Sequence, residues 1–430
     1  MTDELVALLA GVEVGRVRTG ARNRLTFVYN NKWRDAPNAY PISLSMPLAA
    51  KEHGPAAVEA FLWGLLPDNE FVLDRWARKF QVSARNVFAL IGHVGEDCAG
   101  AVQFVAPDRV ADIRSGEPDN IEWLTEKDIA ERLRLLKEDH AAWRLPRDTG
   151  QFSLSGAQPK TALLFEKGRW GIPSGRTPTT HILKPPTGQF DGHAENEHIC
   201  LALARAVGLP AAHSRVARFD KEVAIVVERY DRQRQGNDII RVHQEDVCQA
   251  LALLPTRKYQ NEGGPGVGEI VELLRTHSSE RDTDVDTFIK AIALNWLIAG
   301  TDAHAKNYSL LISNGPRVRL APLYDIASIL PYDEFDLRKV KMAMTIGGEY
   351  KLHDTGIRQW VKLAREVRID PDTLLGQLRG MAQRLPDDLS DARKQAREDK
   401  LNHPLIDRLL ERLARRFADC NRGLKIKEAR

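Results

Sequence analysis

The hydrophobic and polar positions at the start of the chain predict a small α+β domain. The short apolar runs VALLAG, VEVGRVR and RLTFVY are separated by glycine or asparagine, as strands joined by turns are. Apolar residues at helical spacing follow over residues 56–66 and 71–80. We therefore predict a first domain over residues 1–107.

The pattern changes twice farther along the chain. The charged stretch EWLTEKDIAERLRLLKED predicts a helical connector over residues 108–150, which ends in the polar segment PRDTGQ. The strand-like runs TALLF, RWGIP, THILK and VAIVVERY follow, with one helix that begins near Ala194 and ends at Gly208. After Asp246 the pattern is helical, except between Tyr308 and Leu320. Two further domains, 151–240 and 241–430, are therefore predicted.

Composition and charge narrow the possible functions. A chain of 430 residues with 43% hydrophobic content can form several domains. Its 62 Lys and Arg against 59 Asp and Glu give a net charge of +3, so we expect DNA contacts to be weak or to pass through a partner. The four cysteines stand far apart, and neither a signal peptide nor a long apolar segment is evident. We therefore expect a cytoplasmic protein without membrane insertion.

Three polar residues in the last domain form the most informative pattern. Asp302 and Asn307 stand in TDAHAKN, directly after an apolar helix, and Asp325 stands in LYDIAS. Between them, the runs YSLLI and RVRLA flank Ser-Asn-Gly, which is a strong hairpin turn signal. Because a hairpin returns the chain to where it began, we expect the two carboxylates and the amide to converge.

Phosphoryl transfer from ATP accounts for these three residues. The reaction needs hard oxygen ligands for Mg²⁺ and a carboxylate that orients the attacking hydroxyl, and protein kinases use this spacing of Asp, Asn and Asp. We assign to Asp302 the orientation of the attacking hydroxyl and the late acceptance of its proton. Asn307 and Asp325 are assigned as ligands of Mg²⁺. An ordinary capped loop is the alternative. His304 is a further candidate metal ligand, although no second His or Cys stands at ligand spacing.

Lys184 is the candidate for contact with the ATP phosphates, because it ends a predicted strand before two prolines. A solvated lysine is the alternative. Glu197 on the following helix is the candidate ion-pair partner, as in kinases, and Glu195 competes with it. The segment HAENEH (193–198) also resembles a metal site, but acids in the first turn of a helix are expected from the helix dipole alone.

Two further segments are candidates for nucleotide contact. The polar stretch FSLSGAQPKT (152–161) enters a predicted strand and fits a loop whose backbone N–H groups face phosphates. It lacks the second glycine of a Walker loop and the GxGxxG pattern, so an ordinary surface loop is the alternative. Glu228, Arg229 and Tyr230 close the run VAIVVERY, where a hinge would present backbone groups to adenine.

These segments together resemble the HipA-type kinases, the toxin halves of bacterial toxin–antitoxin pairs. The matching segments are LLPDN, LIGHVGEDCAGAVQF, FSLSGAQPKTALL, HILKPP, ENEHICLALARAVGL, VVERYDR, HQEDVCQALA, GTDAHAKNYSLL and LAPLYDIAS. The resemblance implies an α+β, bilobal protein-kinase-like fold with a small N-terminal α+β domain and a mostly helical C-terminal lobe. It also implies ATP and Mg²⁺ as cofactors, a HipB-like DNA-binding antitoxin, and a translation component such as an aminoacyl-tRNA synthetase as the protein substrate.

The resemblance also implies roles for individual residues. Asp302 matches the catalytic aspartate, Asn307 and Asp325 match the metal ligands beside the nucleotide, and Lys184 matches the ATP-contacting lysine. The remaining matches are Leu154, Ser155 and Gly156 at the phosphates, Glu228 and Tyr230 at adenine, Asp231 near the ribose, and Ser153 as the autophosphorylated serine, with Ser155 as its alternative.

The chain departs from ordinary protein kinases, and two other functions stay open beside the kinase. No HRD triplet precedes Asp302, Ile-Ala follows Asp325 in place of Phe-Gly, and the glycine loop is reduced. These differences put regulation through an activation loop in doubt. A catalytically silent corepressor in an antitoxin–operator complex is the main alternative, and a small-molecule kinase is a third.

Overall fold

The computed structural model describes residues 3–114, 121–142, 152–173, 177–188, 190–236, 238–315 and 317–425. It divides into two compact units. The first unit consists of Met1–Pro185, Ala217–Arg257 and Ser309–Arg319, and the second of Pro186–Val216, Lys258–Tyr308 and Leu320–Arg430. Both units are therefore assembled from separated stretches of the chain. The boundaries expected at residues 107, 150 and 240 stay predictions, and the polar segment 146–151 lies outside the described residues.

A five-stranded antiparallel sheet forms the start of the first unit. Its strands lie in the order Glu52–His53, Leu25–Tyr29, Val12–Thr19, Glu4–Leu9 and Val102–Val105. The α-helices beside it are Asn31–Arg34, Pro55–Gly64, Glu70–Phe80 and Val87–Val94. The predicted strands and both predicted helices are confirmed. Most apolar side chains of the central strands, such as Leu8 and Phe27, are fully buried, which favours this register of the sheet.

A six-stranded sheet follows, and all of its residues except 214–216 belong to the same unit. Its order is Ser214–Phe219, Glu222–Glu228, His181–Lys184, Thr161–Glu166, Arg169–Pro173 and Ile121–Leu124. The last strand lies in the connector, where a helix was predicted. It pairs with Arg169–Pro173, and Thr125 then caps the helix Glu126–Glu138 through a capping box. Pairing with a partner strand thus overrides the helical pattern of EWL, and the predicted helix begins after it.

Two smaller sheets and short helices complete the first unit. Arg232–Gln235 pairs with Asp238–Arg241, and His243–Asp246 pairs with the hairpin formed by Ser309–Ser313 and Arg317–Leu320. The hairpin predicted after the apolar helix is therefore present, with a third strand beside it. The short helices are Val110–Arg114, Val247–Ala250 and the 3₁₀ turns Ala21–Asn23, Pro107–Arg109 and Pro255–Arg257.

The second unit is mainly helical. Its helices are His193–Ala206, Val267–His277, Arg281–Ile298, Ile357–Glu366, Pro371–Glu398 and Leu405–Lys425, with 3₁₀ turns at Gln260–Glu262 and Ala305–Asn307. Buried aromatic residues such as Trp296 and Trp360, whose rings meet edge to face at 5.7 Å, form its core.

The second unit also contains a β-hairpin that the sequence reading did not predict. Lys341–Ile346 pairs with Glu349–Lys351 across Gly347 and Gly348, and both glycines have positive φ. A Gly-Gly pair between two apolar runs is a recognised hairpin signal, because glycine adopts positive φ at little cost. The expectation of strands only between Tyr308 and Leu320 is therefore wrong.

Two further features concern the state of the cysteines and the length and apolar character of the helices. All four cysteines are buried and form no disulfide. Within the described ranges, no helix combines the length and the apolar character that crossing a membrane requires.

Candidate active site

The loop that carries Asp302 begins where the helix Arg281–Ile298 ends. Ala299 closes the helix in the left-handed conformation, with φ +56°, and the N–H of Gly300 donates to the carbonyl of Asn295 at 2.7 Å. A Cβ atom on Gly300 would lie 2.4 Å from Asn295 Oδ1. Only glycine therefore fits at this turn without moving the asparagine, and the turn sets the direction of the loop.

Hydrogen bonds within the loop hold Asn307 against Asp302. Asn307 Nδ2 donates to the Asp302 carbonyl at 3.1 Å, and the His304 N–H donates to the same carbonyl at 2.9 Å. The Asp302 carboxylate is exposed, whereas Asn307 is buried. Because its amide nitrogen is engaged, the amide oxygen of Asn307 is the atom left to act as a ligand.

Asp325 is brought to the same loop by the residues around it. The Tyr324 hydroxyl donates to the Lys306 carbonyl at 2.7 Å, and the Ser328 hydroxyl donates to the Ile298 carbonyl at 2.6 Å. Asp325 itself is exposed and has φ +57°. This conformation is uncommon outside glycine and is better tolerated by Asp than by most residues, and such positions often occur at functional sites.

The carboxylates of Asp302 and Asp325 both influence the pKa of His304. Burial lowers the pKa of His304, and this effect outweighs the upward effects of Asp302 and Asp325, while Lys258 lowers the pKa further. Asp302, Asn307 and Asp325 are thus grouped around one loop of the second unit. The convergence predicted from the hairpin agrees with this arrangement.

The chemistry of these residues fits a Mg²⁺ ion that is shared with nucleotide phosphates. Asp325 and Asn307 offer hard oxygen ligands, and Mg²⁺ in phosphoryl-transfer sites commonly takes one or two carboxylates together with substrate phosphates. Across the described part of the chain, no group of three or more His, Cys, Asp or Glu side chains forms a metal site of its own. The metal alternatives for His304 and for residues 193–198 therefore have no support from the geometry.

Tyr259 is a residue at this site that the sequence reading missed. Its hydroxyl donates to Asp302 Oδ1 at 2.7 Å, and its ring meets the His304 ring edge to face at 5.0 Å. The preceding residue is also anchored, because the Ala305 N–H donates to the Lys258 carbonyl at 3.2 Å. Tyr259 lies more than forty residues before Asp302 in the chain, and no local pattern connects the two.

The candidate phosphate loop, residues 152–156, is anchored in the first unit. The Ser153 side chain is fully buried, and its hydroxyl donates to the Leu65 carbonyl at 2.7 Å. Leu154 is buried and Ser155 is half-buried. Gly156, with φ +98°, accepts a hydrogen bond from the Asp68 N–H at 3.0 Å through its carbonyl. The loop is thus held at both ends by residues 65–68.

Lys160 adds a second contact within this loop. Its ammonium group donates to the Ser155 carbonyl at 2.6 Å, and a Cβ atom on Gly156 would lie 2.6 Å from the same nitrogen. The glycine therefore makes room for the lysine, which is itself buried. From the sequence alone, Lys160 is only part of an incomplete Walker pattern.

Lys184 and the two candidate glutamates occupy buried positions in different units. Lys184 ends the strand His181–Lys184, opposite Ile225, and is buried rather than solvated. Glu197 and Glu195 lie on the helix His193–Ala206 and are also buried. The ion pair between Lys184 and one of these glutamates stays a prediction.

The candidate hinge residues differ from one another in exposure. Glu228 is exposed at the end of its strand, opposite His181, and the Tyr230 hydroxyl donates to Gln244 Oε1. Asp231 is buried and accepts from the Gly100 N–H at 2.7 Å and from Arg229 at 2.9 Å. These contacts give Asp231 a structural role, and its contact with a ribose stays a prediction.

Asp231 belongs to a buried ionic cluster that includes Asp97. Asp97 accepts from Arg232 at 2.9 Å and from the Thr179 hydroxyl at 2.7 Å, and Arg229 lies 3.6 Å away. Burial alone would raise the pKa of Asp97, but the positive charges of the neighbouring arginines hold it well below its usual range. The cluster therefore stays ionised and fixes the geometry behind the candidate hinge.

Two models of protein families match this chain, one in its N-terminal part and one in its C-terminal part. Residues 5–105 match the model of the HipA N-terminal domain, and residues 152–389 match the model of the HipA-like C-terminal domain. A candidate kinase from Sinorhizobium fredii is 36% identical over 359 residues, which cover 83% of this chain and 84% of that protein. The serine/threonine-protein kinase toxin HipA from Shewanella oneidensis is 27% identical over 377 residues, covering 84% of this chain and 83% of the toxin.

A solved structure supports the fold. The chain of Shewanella oneidensis HipA, solved in complex with HipB and its operator DNA, superposes with a TM-score of 0.83 at 23% sequence identity. The match covers 98% of each chain. The α+β fold with sheets and a helical unit therefore agrees with the fold of that protein.

Proposed function

This chain belongs to the HipA family of serine/threonine kinases, and we propose that it transfers the γ-phosphoryl group of Mg²⁺-bound ATP to a serine or threonine of a protein. The observation that carries this proposal is the grouping of Asp302, Asn307 and Asp325 around one loop. Asn307 donates a hydrogen bond to the Asp302 carbonyl at 3.1 Å. Tyr324, the residue before Asp325, donates one to the Lys306 carbonyl at 2.7 Å.

Asp302 performs the proton chemistry in this proposal. Its exposed carboxylate orients the acceptor hydroxyl and takes the proton as the new bond to phosphorus forms. The Tyr259 hydroxyl, 2.7 Å from Oδ1, limits rotation of the carboxylate and directs the other oxygen toward the acceptor. Positioning of this kind lowers the activation barrier because the entropy cost of bringing the hydroxyl and the carboxylate together is met before the reaction begins.

The remaining residues hold the nucleotide and the metal. Bound ATP would supply the γ-phosphoryl group and leave as ADP, and Mg²⁺ would offset the negative charge of the phosphates. We assign Asn307 and Asp325 to the metal and Lys184 to the phosphates. The backbone of residues 154–156, together with Glu228, Tyr230 and Asp231, is assigned to the rest of the nucleotide. Because Asp231 is already bonded inside the ionic cluster, a ribose contact at this residue requires a local rearrangement.

The test is transfer of labelled phosphate from ATP in the presence of Mg²⁺, measured together with ATP binding. Asp302→Ala should lower turnover by about 10²–10⁴-fold and leave ATP binding largely intact, because it removes only the hydroxyl-orienting group. Asp325→Ala should weaken Mg²⁺-dependent ATP binding as well as turnover. Asp372→Ala, at an exposed first-turn position in the second unit, serves as a control that should change neither.

The outcome also separates this function from the alternatives. Wild-type turnover in Asp302→Ala would show that the catalytic loop is assigned wrongly. No phosphate transfer by the wild-type chain to any acceptor would favour the silent corepressor. Transfer to metabolites without transfer to proteins would favour the small-molecule kinase.

We further propose that the chain acts in the cytoplasm with a HipB-like antitoxin that supplies the DNA-binding surface. The net charge of +3 and the complex solved for the Shewanella oneidensis protein support this partner. The isolated chain should then bind operator DNA only weakly and in a salt-sensitive manner. Tight sequence-specific binding by the isolated chain at physiological salt would contradict it.

We propose a translation component, such as an aminoacyl-tRNA synthetase, as the protein substrate, and Ser153 as the site of autophosphorylation. The buried position of the Ser153 hydroxyl means that residues 152–156 must leave their place before the serine can be modified. Ser155 is the competing site, and phosphopeptide mapping distinguishes the two.

A further inference from the structure

A cavity of about 290 Å³ lies beside the Asp302 carboxylate in the second unit. Its polar walls include Tyr259, Asn261, Thr301, Lys341 and Tyr350. The volume is just below the range for small-molecule sites, which is about 300–1,000 Å³, and is enough for a side chain and its neighbours. Asp302 is the one assigned site residue among its described lining residues, and Asn307 and Asp325 are not among them.

The cavity is held in shape by hydrogen bonds among the three segments that form it. The Ala343 N–H donates to the Thr301 carbonyl at 3.0 Å, which fixes the hairpin Lys341–Lys351 against the catalytic loop. The Thr345 N–H donates to Gln260 Oε1 at 2.7 Å and ties the same hairpin to the segment that carries Tyr259. A site with walls held in this way needs little reordering when a ligand binds.

Lys341 is the one lysine or arginine among the described lining residues, and its side chain is exposed. No carboxylate of the described chain forms an ion pair with it, although its strand neighbour Lys351 lies 3.6 Å from Asp354. An ammonium group at the wall of a small cavity, with the Asp302 carboxylate on another wall, is suited to a ligand that carries a hydroxyl and a negative charge.

We propose that this cavity binds the polypeptide around the acceptor serine or threonine, and that Lys341 favours an acidic side chain next to the acceptor. The proposal rests on the kinase function proposed above. The acceptor hydroxyl must reach Asp302, and this cavity borders that carboxylate. An acidic neighbour of the acceptor then meets Lys341, whereas a basic neighbour is repelled.

The experiment uses the full-length chain, Mg²⁺-ATP and a phosphatase-treated bacterial protein extract, with the phosphorylated sites mapped by mass spectrometry. For the wild type, Asp and Glu near the acceptor should be enriched about three-fold over background, as expected of one exposed ion pair. Lys341→Met should abolish the enrichment, and Lys341→Glu should reverse it in favour of Lys and Arg. Lys394→Glu makes the same charge change at an exposed lysine on the helix Pro371–Glu398, which does not line the cavity, and it should behave as wild type.

Each result decides the proposal. Where one protein takes most of the phosphate, changing the acidic neighbours of its acceptor to lysine should slow transfer by the wild type about three-fold and not slow transfer by Lys341→Glu. Sites without acidic neighbours, or an acidic preference that survives in Lys341→Glu, overturn the subsite and leave the kinase standing. Absence of both protein phosphorylation and ATP turnover by the wild type overturns the proposed function and the subsite together.

Discussion

Replacing Glu245 by glutamine should change how the stability of the protein depends on pH. Glu245 lies in the strand His243–Asp246, is almost fully buried, and accepts a hydrogen bond from the Leu44 N–H at 2.7 Å. Burial, together with the negative charge of Asp246, raises the pKa of the Glu245 carboxyl to about 8. The hydrogen bonds from Leu44 and Ser43 lower this pKa, but their effect is smaller. The folded protein therefore keeps a proton that the unfolded chain releases.

The size and sign of the effect follow from this difference. Between the ordinary pKa of 4.5 and the raised value of about 8, the folded state binds more protons than the unfolded state, so stability falls as the pH rises. At about 1.4 kcal/mol per pKa unit, the loss is about 5 kcal/mol over the whole window and about 2 kcal/mol between pH 6.5 and 8. Glutamine keeps the acceptor for Leu44 but has no proton to lose.

The assay is the difference in free energy of unfolding between Glu245→Gln and wild type, measured by urea denaturation at several pH values. Using the difference removes the opposing effect of buried histidines such as His243, whose pKa burial lowers to about 4, since both proteins contain them. Relative to the variant, the wild type should lose about 2 kcal/mol from pH 6.5 to 8. Glu52→Gln, on an exposed strand position of the same unit, should show no such difference. Parallel profiles for Glu245→Gln and wild type would refute the reasoning.

Three further changes test other parts of the chain. Tyr259→Phe should lower kcat about ten-fold while the KM for ATP and the melting temperature stay unchanged, because it removes only the hydrogen bond to Asp302. Incubation with Mg²⁺-ATP should place phosphate on Ser153 in the wild type but not in Asp302→Ala, and the added charge of about −1.5 to −2 should reduce ATP affinity; phosphate only at other residues would contradict this. Asp97→Ala should destabilise the protein by about 3–5 kcal/mol, because Arg232 and its neighbours lose a buried counter-charge, and a melting temperature near that of wild type would count against it.

Local periodicity predicted most of the elements but not how the chain is divided. The strands at the start, the helix that follows Ala194 and the hairpin before Asp325 each carry a signal within about ten residues of sequence, and each is present. The two compact units are assembled from stretches far apart in the chain, such as Ser309–Arg319 in the first unit. Such assembly depends on long-range packing, which no local pattern encodes.

The same distinction applies to the candidate site. Asp302, Asn307 and Asp325 were found because their spacing and an intervening hairpin are features of sequence. Tyr259 was missed because its contact with Asp302 spans 43 residues and involves a common residue type. The hairpin that carries Lys341 differs from Tyr259 in this respect, because Gly347 and Gly348 are a local turn signal that lies within a mainly helical part of the chain.

The N-terminal part of the chain contributes directly to the geometry of the candidate nucleotide site. Asp97, within the segment that matches the HipA N-terminal domain, accepts from the Ser153 N–H at 3.0 Å through its carbonyl and from Arg232 at 2.9 Å through its carboxylate. Leu65, from the same segment, accepts the Ser153 hydroxyl. One small region thus holds both the candidate phosphate loop and the residues behind the candidate hinge. Phosphorylation of Ser153 would remove its hydrogen bond to the Leu65 carbonyl. We therefore expect the N-terminal segment to be the first part of the chain that responds to a change in the loop.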